Sequence, residues 1–320
     1  MLLQFFILII GLGLLWFGAE LLIRYSSKLA RSLGVSPIIV GLTVISIGTS
    51  LPEFVVSLIA AMQNTMGISI GNIIGSNIAN IGLILGIGAI MTTLKVQKSW
   101  VHREVPIMIA ATLLFSLFSW NGAKIGRLEG FILFVLLLLF LYYLSRTSAN
   151  QMREFKAEQL LPGSIHIPLT TGKKILYLLY SLIGIALLIG GSKLTVTSGA
   201  KIAEALGVSD TVVGLTLIAL GTSLPELATT IVGILHKETD LVVGNVIGSN
   251  IFNLLFIGGV VPMIRPIPIA TNLFFVEFPF LIGLSFLIWI FMRNRWNVTR
   301  WEGVVLLLLY CVFIVLTFGL

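Results

Sequence analysis

The sequence predicts an all-α integral membrane protein whose ten transmembrane helices form two inverted five-helix repeats. Three observations predict it. Of the 320 residues, 57% are hydrophobic and only 10% charged, with a mean hydropathy of +1.08, which is far more apolar than a soluble domain. Ten stretches approach the roughly 20 apolar residues that a spanning helix needs. The second half of the chain also repeats the first at a constant offset of 173 residues (226 − 53).

In chain order, the first span covers roughly 2–23 and carries Gly11, Gly13 and Gly18; no basic n-region precedes it, so it is expected to be retained rather than cleaved. The second, 37–62, holds the hexapeptide Gly48 to Glu53 (Gly-Thr-Ser-Leu-Pro-Glu), and the third, 68–92, holds Asn72, Ser76, Asn77 and Asn80. The fourth, 104–120, opens on Glu104 and the fifth, 127–145, on Arg127. A polar linker at 148–173 separates the repeat units 1–147 and 174–320. The sixth span, 174–196, has Gly184, Gly190 and Gly191, and the seventh, 210–235, repeats the hexapeptide at Gly221 to Glu226. The eighth, 241–264, repeats the amides as Asn245, Ser249, Asn250 and Asn253; 273–292 and 301–319 complete the set, the last containing the lone Cys311.

The repeat register persists well beyond the hexapeptide. Gly71-Asn72 matches Gly244-Asn245, Gly75-Ser76-Asn77-Ile78 matches Gly248-Ser249-Asn250-Ile251, Glu104 matches Glu277, and Arg127, Glu129 and Gly130 match Arg300, Glu302 and Gly303. Five is odd, so the second unit enters the membrane from the other side. The halves are then related by a two-fold axis in the membrane plane, the plan of many secondary transporters, with binding expected near the midplane.

A net charge of +7 raises the question of nucleic acid, but the charges are sorted by side. Of the 20 Lys and Arg residues, only Lys124, Arg127, Lys193, Lys201 and Arg265 lie outside the loops that follow odd-numbered spans. This positive-inside bias places both termini outside and the linker in the cytoplasm, and points to a multi-pass protein of the cell membrane rather than a nucleic-acid binder. The three His residues are scattered, so no imidazole or thiolate cluster is available for zinc or copper.

Of 13 acidic residues, only Glu53 and Glu226 fall near the centre of a span. Carboxylates at that depth are costly, and mark an ion or substrate pathway. Thr43, Ser46, Ser50, Glu53 and Ser57 recur at spacings of 3 and 4, as do Thr216, Ala219, Ser223, Glu226 and Thr230, which places each set on one helix face. Single hydroxyls could instead bond back to their own helix. Pro52 and Pro225 deprive the carbonyls of Gly48 and Gly221 of their helical partners, which suits either an ordinary kink or a cation that wants oxygen ligands. The deep amides Asn80 and Asn253 are ligand candidates, whereas Asn72 and Asn245, placed at span ends, are expected to tie helices together. Glu104 and Glu277 are expected at the interface. Two carboxylates balance one divalent cation, and calcium tolerates a mixed set of oxygens better than magnesium. When calcium leaves, sodium or protons must replace it; the hydroxyls of Ser50, Ser223, Ser76 and Ser249 favour sodium.

The duplicated hexapeptide, followed by Gly-Asn-x-Ile-Gly-Ser-Asn-Ile-x-Asn, resembles the alpha repeats of the sodium/calcium exchanger family within the cation/calcium exchanger superfamily. The resemblance covers essentially the whole chain. It implies ten helices and alternating access, with calcium bound by Glu53 and Glu226 and by the backbone carbonyls of Thr49 and Thr222. Sodium would take sites lined by Ser50, Ser76, Ser223, Ser249 and the backbone at Ser46 and Ala219. Potassium-dependent relatives can have aspartate where this chain has Asn253, which leaves potassium coupling open. The Gly-Asn-x-x-Glu signature usual in the proton-coupled branch is absent. The expected function is therefore calcium export driven by inward sodium, with calcium/proton antiport by the same glutamates as the alternative, and calcium and sodium as transported ions rather than cofactors. An intramembrane hydrolase would need an acid pair or a Ser-His dyad, and no His lies near the middle of a span; a passive channel would show calcium flux without a counter-ion gradient.

Overall fold

The computed structural model describes residues 1–159, 170–206 and 221–318 and is helical apart from four two-residue strands. In chain order the helices are α1 (Leu2–Leu33), α2 (Pro37–Thr49), α3 (Leu51–Met62), α4 (Met66–Met91), α5 (Glu104–Trp120), α6 (Arg127–Gln159), α7 (Thr171–Ala205), α8 (Leu224–Leu235), α9 (Thr239–Ile264), α10 (Glu277–Arg295) and α11 (Arg300–Phe318). Among the described residues, eight helices are long and apolar enough to cross a membrane, or nine when α2 and α3, bent by 42° at their junction, count as one span. The seventh expected span is described only from Gly221 onward.

Several helices outrun their apolar stretches. The first continues through Arg24, Lys28 and Arg31 to Leu33, because Ser26, Ser27 and Ala30 keep one face buried after the other has become polar. It stops at Gly34, whose left-handed backbone (φ 68°) suits glycine and returns its N–H to the carbonyls of Ala30 and Arg31. The fifth-span helix likewise runs on to Gln159, so the first part of the expected linker is helical; the amide of Gln151 there accepts the backbone N–H of Ser36 at 2.9 Å. Among the described residues, three segments wind as π-helix: Gly41–Ile45, Asn80–Leu85 and Asn253–Ile257.

Centrality follows from composition. The polar-bearing helices α4 and α9 have 78% of their apolar window buried, whereas α6, α7 and α10 have 28% and turn side chains such as Leu138, Ile183 and Ile290 outward. In a bilayer the outer helices can expose apolar faces to lipid, while amides and hydroxyls must find partners inside.

Contacts between the halves come in reciprocal pairs. Strand β1 (Leu94–Lys95) pairs with β4 (Asn297–Val298), aligning Leu94 with Val298, and β2 (Lys124–Ile125) pairs with β3 (Ile267–Pro268), aligning Ile125 with Ile267. Shifting Leu94 forward and Val298 back by 173 turns the first alignment into the second. The same exchange relates the close approach of Gly11 and Gly191 to that of Gly18 and Gly184, and Gly86 with Gly303 to Gly130 with Gly259. At these crossings backbone meets backbone, as small residues permit in membrane helices. A β-carbon on Gly18 would lie 2.8 Å from the Gly184 carbonyl oxygen, and one on Gly184 would lie 2.7 Å from that of Gly18.

Gly18→Val should therefore lower stability by about 1–3 kcal/mol through overpacking. Gly13→Val, where nothing lies within 4 Å, should leave it unchanged; thermal unfolding of the two variants in detergent, side by side, checks both.

Candidate functional site

Each hexapeptide breaks its helix at the serine. Ser50 has φ −84° and ψ 2°, Ser223 has φ −86° and ψ 3°, and a new helix starts at the next residue in both halves. Pro52 and Pro225 thus lie in the first turn of a helix, where the missing N–H costs nothing. The bend expected at each proline is therefore a break between two helices, 42° in the first half. Glu53 and Glu226 follow in that first turn, next to the positive end of the helix dipole. The carbonyl of Gly221 is not free for a cation here: Ser192 on α7 donates to it at 2.6 Å. The residue of α1 that matches Ser192 is Ala19, which has no hydroxyl to give.

Both carboxyl groups are fully enclosed, Glu53 at 1% exposure and Glu226 at 0%. They lie within electrostatic range of each other. Ser50 donates to Glu226 Oε1 at 3.4 Å, the hydroxyls of Thr49 and Ser249 face the same carboxylate, and Thr222 faces Glu53. Among the described residues no Lys, Arg or His pairs with either group. Both oxygens of Glu53, Oε2 of Glu226, the hydroxyls of Ser76 and Ser223, Oδ1 of Asn80 and both amide atoms of Asn253 are buried without a hydrogen-bond partner. Each such group costs about 1–3 kcal/mol when left unpaired, so a cluster of them identifies where a ligand would be compensated.

Around this cluster runs a set of fixed hydrogen bonds. Thr49 donates to Asn245 Oδ1 and Thr222 donates to Asn72 Oδ1, each at 3.2 Å, another pair related by the 173-residue exchange. Asn72 donates in turn to the Glu53 carbonyl and to Ser57 Oγ, both at 2.9 Å, and Asn245 donates to Thr229 Oγ1 at 3.1 Å. These two asparagines do tie helices together. They lie in the buried centre beside the carboxylates, not at span ends as their sequence positions suggested, because α4 and α9 begin earlier and cross the bends of the hexapeptides. Asn80 and Asn253 each open a π-helical segment, and Asn80 donates to Asn250 Oδ1 at 3.3 Å.

The serine and threonine stripe does not survive as one face. Thr43 and Ser46 bond back to Ile39 and Leu42 of their own helix. The break at Ser50 resets the helical phase, so Ser50 and Thr49 turn toward the site instead. The Thr49 and Thr222 hydroxyls were not apparent from periodicity; their signal was recurrence in both hexapeptides. Ser46 packs against Gly248, and its carbonyl accepts the Ser50 N–H. Thr216 and Ala219 lie outside the described residues. Glu104 and Glu277 open α5 and α10, at span ends; Glu104 is buried under α6, whose Tyr143 hydroxyl donates to it at 3.0 Å.

No third carboxylate, imidazole or thiolate joins the two glutamates among the described residues, so a cation here would complete its shell with hydroxyl and amide oxygens. Such a mixed, adaptable oxygen set suits calcium and sodium.

A family model described as sodium/calcium exchanger protein matches residues 3–146 and again 176–319. The sodium/calcium exchanger MaX1 of Methanosarcina acetivorans is 33% identical, with 98% of each chain covered. The putative antiporter CaxA of Alkalimonas amylolytica is 40% identical over 81% of this chain and 80% of its own. A structure of the sodium-calcium exchanger NCX_Mj, soaked with sodium and strontium, superposes with a TM-score of 0.85 at 31% identity, covering 98% of each chain.

The hydrogen bond from Thr222 to Asn72 is worth about 1 kcal/mol if it behaves as a buried neutral pair. A double-mutant cycle with Thr222→Val and Asn72→Leu, read by unfolding in detergent, should give a coupling of about 0.5–1.5 kcal/mol; additive losses would show that the two side chains do not act together.

Proposed function

The chain belongs to the sodium/calcium exchanger family, and from that premise we propose that it is a calcium/sodium antiporter, exporting calcium from the cytoplasm by alternating access driven by inward sodium. The single observation that carries this reading is the pair of enclosed carboxylates, one from each hexapeptide, with no basic partner and with hydroxyls and amides of both halves around them. Glu53 and Glu226 supply the two charges that calcium neutralises. Thr49 and Thr222 contribute backbone oxygens. Ser50, Ser76, Ser223 and Ser249, with the backbone at Ser46 and Ala219, offer neutral oxygens to sodium, and Asn80 and Asn253 complete the shell.

The reciprocal contacts between halves support ten spans arranged as an inverted pair, with units 1–147 and 174–320. An inverted pair gives two near-equivalent pathways to one central site, one from each face of the membrane. By the distribution of Lys and Arg, the protein sits in the cell membrane with both termini outside and the 148–173 segment in the cytoplasm. Competition between calcium and sodium for the same carboxylates is what couples their fluxes. Protons could neutralise the pair too, but would leave the surrounding hydroxyls without a role.

Purified protein in liposomes should take up calcium when sodium is concentrated inside, and Glu53→Gln or Glu226→Gln should reduce that uptake to background. Uptake retained in either variant would overturn the site; uptake driven equally well by a pH gradient without sodium would favour the proton alternative.

A further inference from the structure

Helices α1 and α7 pack on each other more extensively than any other two elements, backbone to backbone at Gly11, Gly18, Gly184 and Gly191. Their inner ends are joined as well, by Tyr25 stacked on Tyr180 at 4.5 Å and by Ser26 donating to Ser181 at 3.1 Å. About a third or less of their apolar windows is buried in the protein. The pair is therefore one body laid against the outside of a buried centre, and how it sits decides which pathway to the glutamates is covered.

The internal repeat supplies a built-in control for that question, because in a symmetric arrangement α1 would meet α8 as α7 meets α3. It does not. The first helix packs along α8. By contrast, α7 stands off α3, leaving an apolar pocket of about 280 Å³ between Val55 and Val56 on one side and Ile189 and Val196 on the other, reaching Thr222. In the orientation proposed above, α8 ends in the cytoplasm and α3 ends outside, so the covered pathway is the cytoplasmic one.

Among the described residues, the carboxylate contacts that fasten α1 to the centre lie on that closed side. Glu20 Oε2 of α1 lies 2.6 Å from His236 Nε2, just past the end of α8. Ser27 donates to Glu238 Oε1 at 2.6 Å, and Arg31 pairs with the same carboxylate. The residues at the matching positions in the other half are Lys193 and Gln63, Ala200 and Thr65, and Glu204 and Thr65. None of these residue pairs can form an ion pair, so these positions supply no equivalent fastening on the outer side.

We propose that Glu20, His236, Arg31 and Glu238 form a one-sided cytoplasmic lock that holds α1 and α7 in the outward-open arrangement and makes the two faces of the carrier unequal. They are positioning residues: they touch no ion, and they set the share of molecules whose site faces the cytoplasm. The inference rests on the antiporter reading for its transport consequence but not for its geometry.

The test combines two measurements on the full chain with Cys311→Ser. Spin labels at Lys28 on α1 and Lys95 on β1 report whether α1 leaves the centre. The unsubstituted pair should give one distance population, and Glu20→Ala with Glu238→Ala should add a second, longer one. His236→Lys, which presents a cation to Glu20, and Glu204→Ala, at a matched outer position, should add none. In liposomes the same double variant should lower the KM for calcium on the cytoplasmic face by about three- to tenfold, with a smaller rise on the outer face, as a population shift requires. An unchanged distance distribution would overturn the lock, as would KM values that move together on both faces. If the unsubstituted protein shows no sodium-dependent calcium transport, the antiporter reading fails while the distance measurement still decides the lock.

Discussion

Two carboxyl groups enclosed in an apolar bundle, with no basic partner among the described residues, are the constraint on which the remaining architecture depends. Burying even one unpaired charge is expensive, and this chain buries two within electrostatic range of each other. The surrounding features all reduce that cost or make it conditional on a cation. Each glutamate starts a helix instead of sitting inside one, so its first-turn dipole opposes the penalty. Threonine hydroxyls cross from one half to amides of the other, fixing the helices that carry the oxygens. The peripheral helices then need only be apolar.

The repeat separates what the site requires from what the direction of transport requires. Glutamates, prolines, the serine breaks, the cross-half threonines and the asparagines are duplicated, as the proposed antiporter requires if both halves hold one ion cluster. Two differences in polar fastening lie on α1 and α7 and on the loop after α8. Ser192 fastens α7 to the Gly221 carbonyl where α1 has Ala19. Glu20 meets His236 where the other half has Lys193 and Gln63. A carrier with identical faces would have no reason for either.

Much of this was legible in the sequence, and what was missed has physical causes. Apolar runs located the eight or nine helices long enough to cross a membrane among the described residues, because the bilayer leaves little freedom in helix length. They misplaced helix ends, since α1 stays helical through Arg31 on the strength of one buried face. The hexapeptide identified both carboxylates, but a proline four residues after a carbonyl reads equally as a kink and as the first turn of a new helix; only the backbone at Ser50 and Ser223 separates them. That break also explains why a 3.6-residue stripe grouped Thr43 and Ser46 with Glu53 and left out the Thr49 hydroxyl. The π segments at Asn80 and Asn253 and the contacts of Asn72 and Asn245 depend on helices from opposite halves meeting, which no local pattern encodes.

Equilibrium calcium binding to the purified protein tests most directly whether the two glutamates form one shared cation site. Titration calorimetry should find a single calcium per chain, displaced competitively by sodium and lost when both Glu53 and Glu226 are replaced by Gln. Calcium that still binds the doubly substituted protein, or that binds independently of sodium, would contradict the account.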